Sequence, residues 1–404
     1  MPRRPTRRDV LGAGAAAGAG LLAGCTSDGD GGSGDGSSDP TATETDTSYT
    51  AELFPVGEVE FESVPESLTT YNMGWADMVV SLGQATKLRT NRLSAPTLFY
   101  DRFDIDYDTD YAALWQNGGW SKEVMYDRDP DVFLFDPNLL EQWDDNWAAE
   151  DTEELRSNVA PFFGCHNRRI RGDWQMELGY PEQAPTMLEA FQKVGTVLDE
   201  EARAQAWLDL HADLQSNLQD RLPDDAESPS IALINSGSSP EKGKFYVLNL
   251  AQDGYEMKPY RDLGLVDADA FEGVETGQYG ETDYETLLEV DPDAIVVHWG
   301  ITTGSVTFDG DGAFDAAEFQ KRFVTPMEES SAGSDLTAVQ EGRVLPGPTA
   351  EQGPLVNAFQ TELTARLFFP ETFGELDLDA PLDVPEEEQL FDRQRVADIL
   401  DGKV

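Results

Sequence analysis

Three arginines within four residues, Arg168, Arg169 and Arg171, stand out in a chain that carries 78 acidic and 28 basic residues. Each guanidinium group keeps its charge and donates forked hydrogen bonds, which suits anionic catecholates, carboxylates or phosphates. Trp174 follows closely, and such a ring can cover the apolar face of a ligand. The pattern predicts a binding site for an anionic small molecule. The alternative is that the arginines pair with surface carboxylates.

Two of the three histidines, His166 and His298, fall at the ends of predicted strands. An imidazole there can complete the coordination of iron or cobalt, or contact heme, and the alternative is an ordinary hydrogen-bonding role. We therefore assign no direct metal ligand and no permanent cofactor. One of the two cysteines, Cys165, follows an apolar segment and is predicted to be a small buried side chain, not a nucleophile.

The sequence has no P-loop, no Gly-x-Ser-x-Gly elbow, no His-Glu-x-x-His motif and no Gly-x-Gly-x-x-Gly opening a helix. An enzyme is therefore the least favoured class of function. The net charge of −50 also argues against nucleic acid as a partner, because the phosphate backbone would be repelled.

Short apolar segments, each followed by a loop and then a helical pattern, predict an α/β fold with parallel strands. They are residues 68–71, 132–135, 159–163, 231–234, 294–297 and 343–345. Ligands of open α/β sheets bind outside the carboxyl ends of the strands. The residues expected to contact the ligand are Tyr71, Trp75, Asn138, Arg168, Arg169, Arg171 and Trp174 in the first half, and Lys244, Tyr246, His298 and Trp299 in the second.

One short pattern occurs once in each half of the chain. Glu123 is followed seven residues later by Pro130-Asp131 and an apolar run, and Glu285 is followed in the same way by Pro292-Asp293. Each unit predicts a helix, a turn and a buried parallel strand. The repetition predicts two similar α/β lobes.

The segment between Pro185 and Pro223 has no internal proline and one glycine, with apolar residues at three- and four-residue spacing. This periodicity predicts one long amphipathic helix of about 50 Å. It would join an N-terminal lobe (residues 51–184) to a C-terminal lobe (residues 224–404). The alternative is an ordinary packed helix inside one larger domain.

The N-terminus has the layout of an export signal, with four arginines ahead of a short apolar run. Residues 6–11 resemble the twin-arginine consensus, and residues 22–25 resemble a lipobox. We expect cleavage after residue 24, a lipid on Cys25, and a flexible Gly/Ser/Thr/Asp linker over residues 25–50. The protein would then be anchored at the cell surface, on the outer face of the cytoplasmic membrane. An Ala/Gly-rich disordered N-terminus with an incidental cysteine is the alternative.

Loss of that signal would leave a net charge of about −53. Self-repulsion of this size strains a compact state at ordinary ionic strength, but at molar salt the Debye length falls to about 3 Å. The acidic residues are spread along the whole chain, and the 28 basic residues are mostly arginine. The composition therefore favours a hydrated surface adapted to high salt, as in halophiles.

From residue 51 to about residue 380 the chain resembles the substrate-binding proteins of ABC importers for iron–siderophore complexes and cobalamin. The resemblance rests on the order of several pieces, none of them specific alone. They are residues 71–88, the two Glu-x6-Pro-Asp units, the long helix, residues 262–265, and residues 338–344 followed by Gly353-Pro354.

The resemblance implies a class III binding-protein fold, with two lobes joined by a single rigid helix and little closure on the ligand. It implies that Glu123 and Glu285, at the tips of the lobes, dock on arginines of a permease. The expected function is capture of a ferric siderophore by a monomer that serves a permease and its ATPase. Cobalamin or heme is the alternative ligand.

The zinc- and manganese-binding relatives in this group place a histidine after the first strand, where this chain has Asn72 and Met73. A bare-metal site is therefore not expected. The alternative from another functional class is a structural or adhesive surface lipoprotein. For such a protein we would expect a repetitive, β-rich sequence pattern.

Overall fold

The computed structural model describes residues 48–90, 97–108, 110–170, 172–223, 229–250, 254–268, 271, 280–300 and 314–404. The export signal, Cys25, most of the linker and Arg171 lie outside these residues.

The strands, in chain order, are β1 (Tyr49–Leu53), β2 (Gly57–Phe61), β3 (Leu68–Thr70), β4 (Trp115–Gln116), β5 (Gly119–Trp120), β6 (Val132–Leu134), β7 (Ser230–Asn235), β8 (Phe245–Leu248), β9 (Val266–Asp267), β10 (Gly280–Thr282), β11 (Ala294–His298) and β12 (Val344–Pro346).

The first helices are α1 (Met73–Ser81), α2 (Thr97–Tyr100), α3 (Lys122–Arg128), α4 (Asn138–Trp143), α5 (Ala149–Asn158), α6 (Asp173–Glu177), α7 (Tyr180–Gln183), α8 (Met187–Val197) and α9 (Glu201–Arg221). They are followed by α10 (Lys258–Asp262), α11 (Tyr284–Val290), α12 (Ala316–Phe319), α13 (Thr325–Glu329), α14 (Thr337–Gln340), α15 (Pro354–Phe368), α16 (Pro370–Phe373) and α17 (Arg393–Leu400).

Each half of the chain contributes its own sheet. In the first half β3 and β6 pair in parallel, and isolated parallel bridges add Leu88 beside β3 and Phe162 beside β6. In the second half the order is β10-β8-β7-β11-β12, with β9 also paired to β7. β7, β9, β11 and β12 are parallel, and β8 runs antiparallel to both of its neighbours, β7 and β10. The predicted α/β fold is confirmed.

The central strands are apolar along their length because they are covered on both faces. All three residues of β6 and all five of β11 are buried, so neither strand shows the alternation of a half-exposed sheet.

The repeated Pro-Asp unit has the same structure in both halves. α3 and α11 each have seven residues and end at an aspartate in the left-handed region, Asp129 and Asp291. The aspartate after each proline then accepts hydrogen bonds from a serine at the start of the neighbouring strand. Asp131 accepts from the N–H and the hydroxyl of Ser67 at 3.0 and 3.1 Å.

In the second half Asp293 accepts from the N–H and the hydroxyl of Ser230 at 2.7 and 2.9 Å. In both units the aspartate N–H donates back to the serine hydroxyl. In each half, these hydrogen bonds hold together the first residues of two neighbouring parallel strands. The repeat inferred from the sequence is therefore a repeat in structure.

The prediction of one uninterrupted helix over residues 185–223 was wrong. α8 ends at Val197 and α9 begins at Glu201. Asp199 between them has a φ of 57°, and its N–H and that of Glu200 bond back to Thr196 and Gly195. These bonds form a Schellman motif. The motif was missed because its left-handed residue is Asp, not the Gly that usually signals it.

Asp199 offers a test of this helix ending, because its side chain is exposed and a substitution acts mainly through the backbone. Asp199→Gly should raise the free energy of unfolding by about 0.5–1 kcal/mol, and Asp199→Val should lower it by about 1–2 kcal/mol. Denaturant unfolding measures both. Asp209→Val, at an exposed position within α9, is the control and should change stability by less than about 0.5 kcal/mol. Equal losses of stability in Asp199→Val and Asp209→Val would contradict the Schellman motif.

The last helices return to the first half of the chain. α15 is buried at 14 of its 15 residues and packs against α1, α9 and α10, while α17 packs on α9 and α1. Elements from both halves therefore share one hydrophobic core. The proposed lobe boundaries remain a prediction.

In the part of the chain that the structure describes, no helix combines the length and the apolar character needed to cross a membrane.

Candidate functional site

The carboxyl ends of the two sheets meet where the loop after Phe162 contacts the loop that precedes α10. The N–H groups of Tyr255 and Glu256 donate to the carbonyls of Asn167 and Arg168, each at 3.2 Å. Gly254 has a φ of 99°, and a side chain there would collide with the same carbonyls. The close approach of the two loops therefore requires glycine at this position.

Five side chains around this contact form what we call the central ion-pair cluster: Arg168, Arg169, Glu256, Glu351 and His298. Arg169 pairs with Glu256 through both Nε and Nη2, and both side chains are buried. Arg168 Nη1 lies 2.8 Å from Glu351 Oε1, and its Nε lies 3.6 Å from Glu256 Oε2. The arginines therefore link the first half of the chain to the second.

His298, at the end of β11, is fully buried inside this cluster. Its Nε2 lies 3.0 Å from Glu256 Oε1, and its Nδ1 lies 3.2 Å from the Tyr260 hydroxyl. Burial lowers the pKa of His298 well below its usual value, and the charges of Arg169 and Arg168 lower it further. The ring is therefore neutral, donates from Nε2 to Glu256 and accepts from Tyr260.

Aromatic rings line the first-half side of this edge in what we call the aromatic wall: Tyr71, Trp120, Trp143, His166 and Trp174. Tyr71 contacts Trp120 and Trp143 edge to face, with centroids 4.7 and 5.6 Å apart. His166 lies 5.3 Å from Trp143 and 6.4 Å from Trp174. Tyr71, Trp143 and Trp174 are half-buried, so part of each side chain remains exposed.

The sequence analysis placed Trp143 among the residues that follow the second predicted strand, and it is the last residue of α4. Trp120 was not assigned to the ligand site. It lies in the short strand β5, away from the end of any apolar segment that predicts a parallel strand.

Asp136 organises the loop after β6. Its carboxylate accepts from the His166 N–H at 2.8 Å and from the Asn138 N–H and side-chain amide at 3.0 Å. It also accepts from the Tyr180 hydroxyl. Burial raises the pKa of Asp136, against the lowering effect of these donors. Asn138, an expected ligand contact, is thus held beside Asp136 and 3.3 Å from the Tyr180 hydroxyl.

Three residues of the predicted set, Trp75, Lys244 and Tyr246, belong neither to the central ion-pair cluster nor to the aromatic wall. Trp75 is buried in α1 and donates from Nε1 to the Cys165 carbonyl at 3.2 Å. Cys165 is a buried free cysteine, as predicted, and burial raises the pKa of its thiol well above the usual value. Lys244 pairs with Glu281 at 2.8 Å and lies 5.1 Å from the ring centre of the half-buried Tyr246.

Trp299 follows His298 with a φ of 72°, a strained value for an aromatic residue. Its N–H donates to the Pro348 carbonyl at 2.9 Å, and the Arg168 guanidinium lies 5.9 Å from its ring. The predicted contacts Arg168, His298 and Trp299 are thus brought together by the fold.

Glu123 and Glu285 occupy matching places, as the second residues of α3 and α11, and both are exposed. Each helix is capped by the side chain of the residue before it, Ser121 or Asp283. A carboxylate in a first helical turn is favoured by the helix dipole.

Across the described ranges, no three His, Cys, Asp or Glu side chains are grouped so that they could together hold a metal ion. Both ring nitrogens of His298 already have protein partners.

Residues 111–349 match the family model described as periplasmic binding protein. The chain belongs to this family. The fold of this binding protein agrees with the assignment, and the role of the family is to bind solutes outside the cytoplasm. No curated protein sequence matches the chain.

Solved structures share the fold of this binding protein at low identity. A periplasmic binding protein from Veillonella parvula is 16% identical, with a TM-score of 0.54 over 82% of this chain and 100% of that one. The iron uptake ABC transporter substrate-binding protein PiuA from Streptococcus pneumoniae is 16% identical, with a TM-score of 0.51 over 79% and 98%. The iron-uptake system-binding protein FeuA from Bacillus subtilis is 14% identical, with a TM-score of 0.50 over 79% and 100%.

Proposed function

We propose that this protein captures a ferric siderophore outside the cell and delivers it to the permease of an ABC importer. The observation that carries the proposal is the meeting of the aromatic wall with the central ion-pair cluster at the carboxyl ends of both sheets. The similarity in fold to PiuA and FeuA supports iron as the cargo. The iron complex is the transported solute, and the protein keeps no permanent cofactor.

Ligand binding should quench tryptophan fluorescence, because Trp143 and Trp174 line the proposed site. Purified protein in molar salt is titrated with ferric catecholates, ferric hydroxamates, cobalamin and heme. A saturable response to a ferric siderophore is expected, and Trp174→Phe should reduce its amplitude. A response to cobalamin or heme alone would show that this compound, and not a ferric siderophore, is the ligand. No response to any compound of the panel would overturn the proposed solute-binding function.

We propose that Glu123 and Glu285 dock on basic residues of the permease. Their equivalent positions support this proposal, because each glutamate is exposed in the first turn of a matching helix, one in each half of the chain. An exposed ion pair contributes only about 0.2–1 kcal/mol, so shape must supply much of the docking energy at high salt.

Replacing both glutamates with alanine should lower siderophore uptake by about threefold to tenfold while leaving ligand affinity unchanged. The matched control replaces Asp127 and Glu289, exposed acids of the same two helices, and should leave uptake unchanged. Uptake assays with radioactive iron measure both. Normal uptake by the Glu123→Ala, Glu285→Ala variant would show that docking uses another surface.

We further propose that the protein is a monomeric lipoprotein held by Cys25 on the outer face of the membrane after twin-arginine export. The support is the sequence of residues 1–25. A diacylated cysteine supplies two chains, which anchor far more stably than one. The linker would keep the binding protein near its permease at high effective concentration, and the acidic surface would suit an external medium of high salt.

A further inference from the structure

The central ion-pair cluster is balanced in charge. Arg168 and Arg169 face the carboxylates of Glu256 and Glu351, so the four charges sum to zero. The side chains of Arg169 and Glu256 are 2% and 0% exposed, and those of Arg168 and Glu351 are each 14% exposed. Two of the three arginines that the sequence suggested for an anionic ligand, Arg168 and Arg169, are thus already engaged by the protein itself.

Two described groups near the cluster, His298 and Lys244, add no net positive charge. His298 is neutral, because burial and the adjacent arginines keep its pKa low. Lys244, in the second half, is balanced by Glu281. Beside these groups the aromatic wall and Trp299 offer ring faces, which contact a ligand without requiring that it carry charge.

An anionic ligand would have to draw an arginine away from its carboxylate. The displaced carboxylate would then remain buried without its ion-pair partner, which is strongly unfavourable in a protein interior. The penalty is greatest for Glu256, because its carboxylate is fully buried. A ligand without net charge avoids this penalty and can use the aromatic faces alone.

This inference rests on the proposed function and concerns the charge class of the ligand at the same site. We propose that the protein selects ferric chelates of zero or near-zero net charge, such as trihydroxamates, over trianionic ferric tricatecholates. Three hydroxamates, each with one negative charge, neutralise Fe(III), whereas three doubly charged catecholates leave the complex with three negative charges. The selection follows from charges that the protein has neutralised internally.

The test compares ferrichrome, a neutral trihydroxamate, with ferric enterobactin, a trianionic tricatecholate, by calorimetry on the full chain. The neutral chelate should bind tighter by about tenfold or more. Equal or tighter binding of the trianionic chelate would overturn the inference and leave the proposed function standing. Binding of neither chelate, nor of any other ferric siderophore, would overturn the proposed function itself.

Glu351→Gln tests the cause of the selection. It frees the charge of Arg168 while the amide oxygen can still accept from the Met73 N–H, as Glu351 does at 2.8 Å. The ratio of the two affinities should shift toward the trianionic chelate by about tenfold. Glu289→Gln, which removes the same charge from the exposed end of α11, should leave the ratio unchanged. An unchanged ratio in Glu351→Gln would overturn the role assigned to the cluster.

Discussion

Replacing Arg169 with methionine should lower the free energy of unfolding by about 3–5 kcal/mol. The methionine fills similar space but removes the guanidinium group that donates to both carboxylate oxygens of the buried Glu256. Arg168 and His298 remain nearby, yet the nearest nitrogen of Arg168 is 3.6 Å away. Denaturant unfolding in molar salt measures the loss, and it should persist there because buried pairs are poorly screened.

Two further variants separate a buried charge from a general packing defect. Arg169→Met combined with Glu256→Gln removes both charges and should recover most of the stability, because no uncompensated ion remains. Arg156→Met breaks the exposed pair with Glu153, whose side chains are 47% and 62% exposed, and should cost less than about 1 kcal/mol. If the double variant were no more stable than Arg169→Met alone, the loss would come from packing instead.

The second large effect is a pH dependence located at Asp77, a fully buried residue of α1. Its carboxylate accepts from the Tyr100 hydroxyl at 2.8 Å and from the Val356 N–H, in the first turn of α15, at 3.1 Å. Burial raises the pKa of Asp77 to about 7, although these donors act in the opposite direction. Between pH 4 and pH 7 the folded state therefore holds a proton that the unfolded state releases.

Because the folded state binds more protons in this window, the contribution of Asp77 to stability falls as pH rises from about 4 to about 7. The full change is about 4 kcal/mol. The quantity to measure is the difference in unfolding free energy between wild type and Asp77→Asn, which cannot titrate there. As pH rises from about 4 to about 7, the wild type should lose stability relative to Asp77→Asn, and above pH 7 the difference should become constant. A difference that is independent of pH would contradict the raised pKa.

The comparison with Asp77→Asn is needed because a second buried group acts in the opposite direction. His211 lies 2.9 Å from the Pro354 carbonyl at the start of α15, and burial lowers its pKa to about 3. The unfolded state then binds the extra proton, so this contribution rises with pH between about 3 and 6.5. His211→Gln should remove that rise, and the two variants together separate the opposing trends.

Much of the scaffold was predictable from local signals. The apolar runs at residues 132–135 and 294–297 became buried parallel strands, since continuous apolar segments bounded by turns have few other solutions. The Pro-Asp repeat was also local, and the same hydrogen bonds to Ser67 and Ser230 formed in both halves. The helix break at Asp199 was not predicted, because apolar periodicity continues across it and the left-handed residue is not glycine.

The sequence alone determined the α/β class, the internal repeat and which side chains follow the strands, because strand propensity, turn residues and periodicity act between near neighbours. It could not determine what those side chains bind. Arg169 meets Glu256 across 87 positions of chain, and Arg168 meets Glu351 across 183. Only the folded backbone brings such distant groups within hydrogen-bonding distance. The tertiary structure therefore decided that Arg168 and Arg169 are balanced by the protein's own carboxylates.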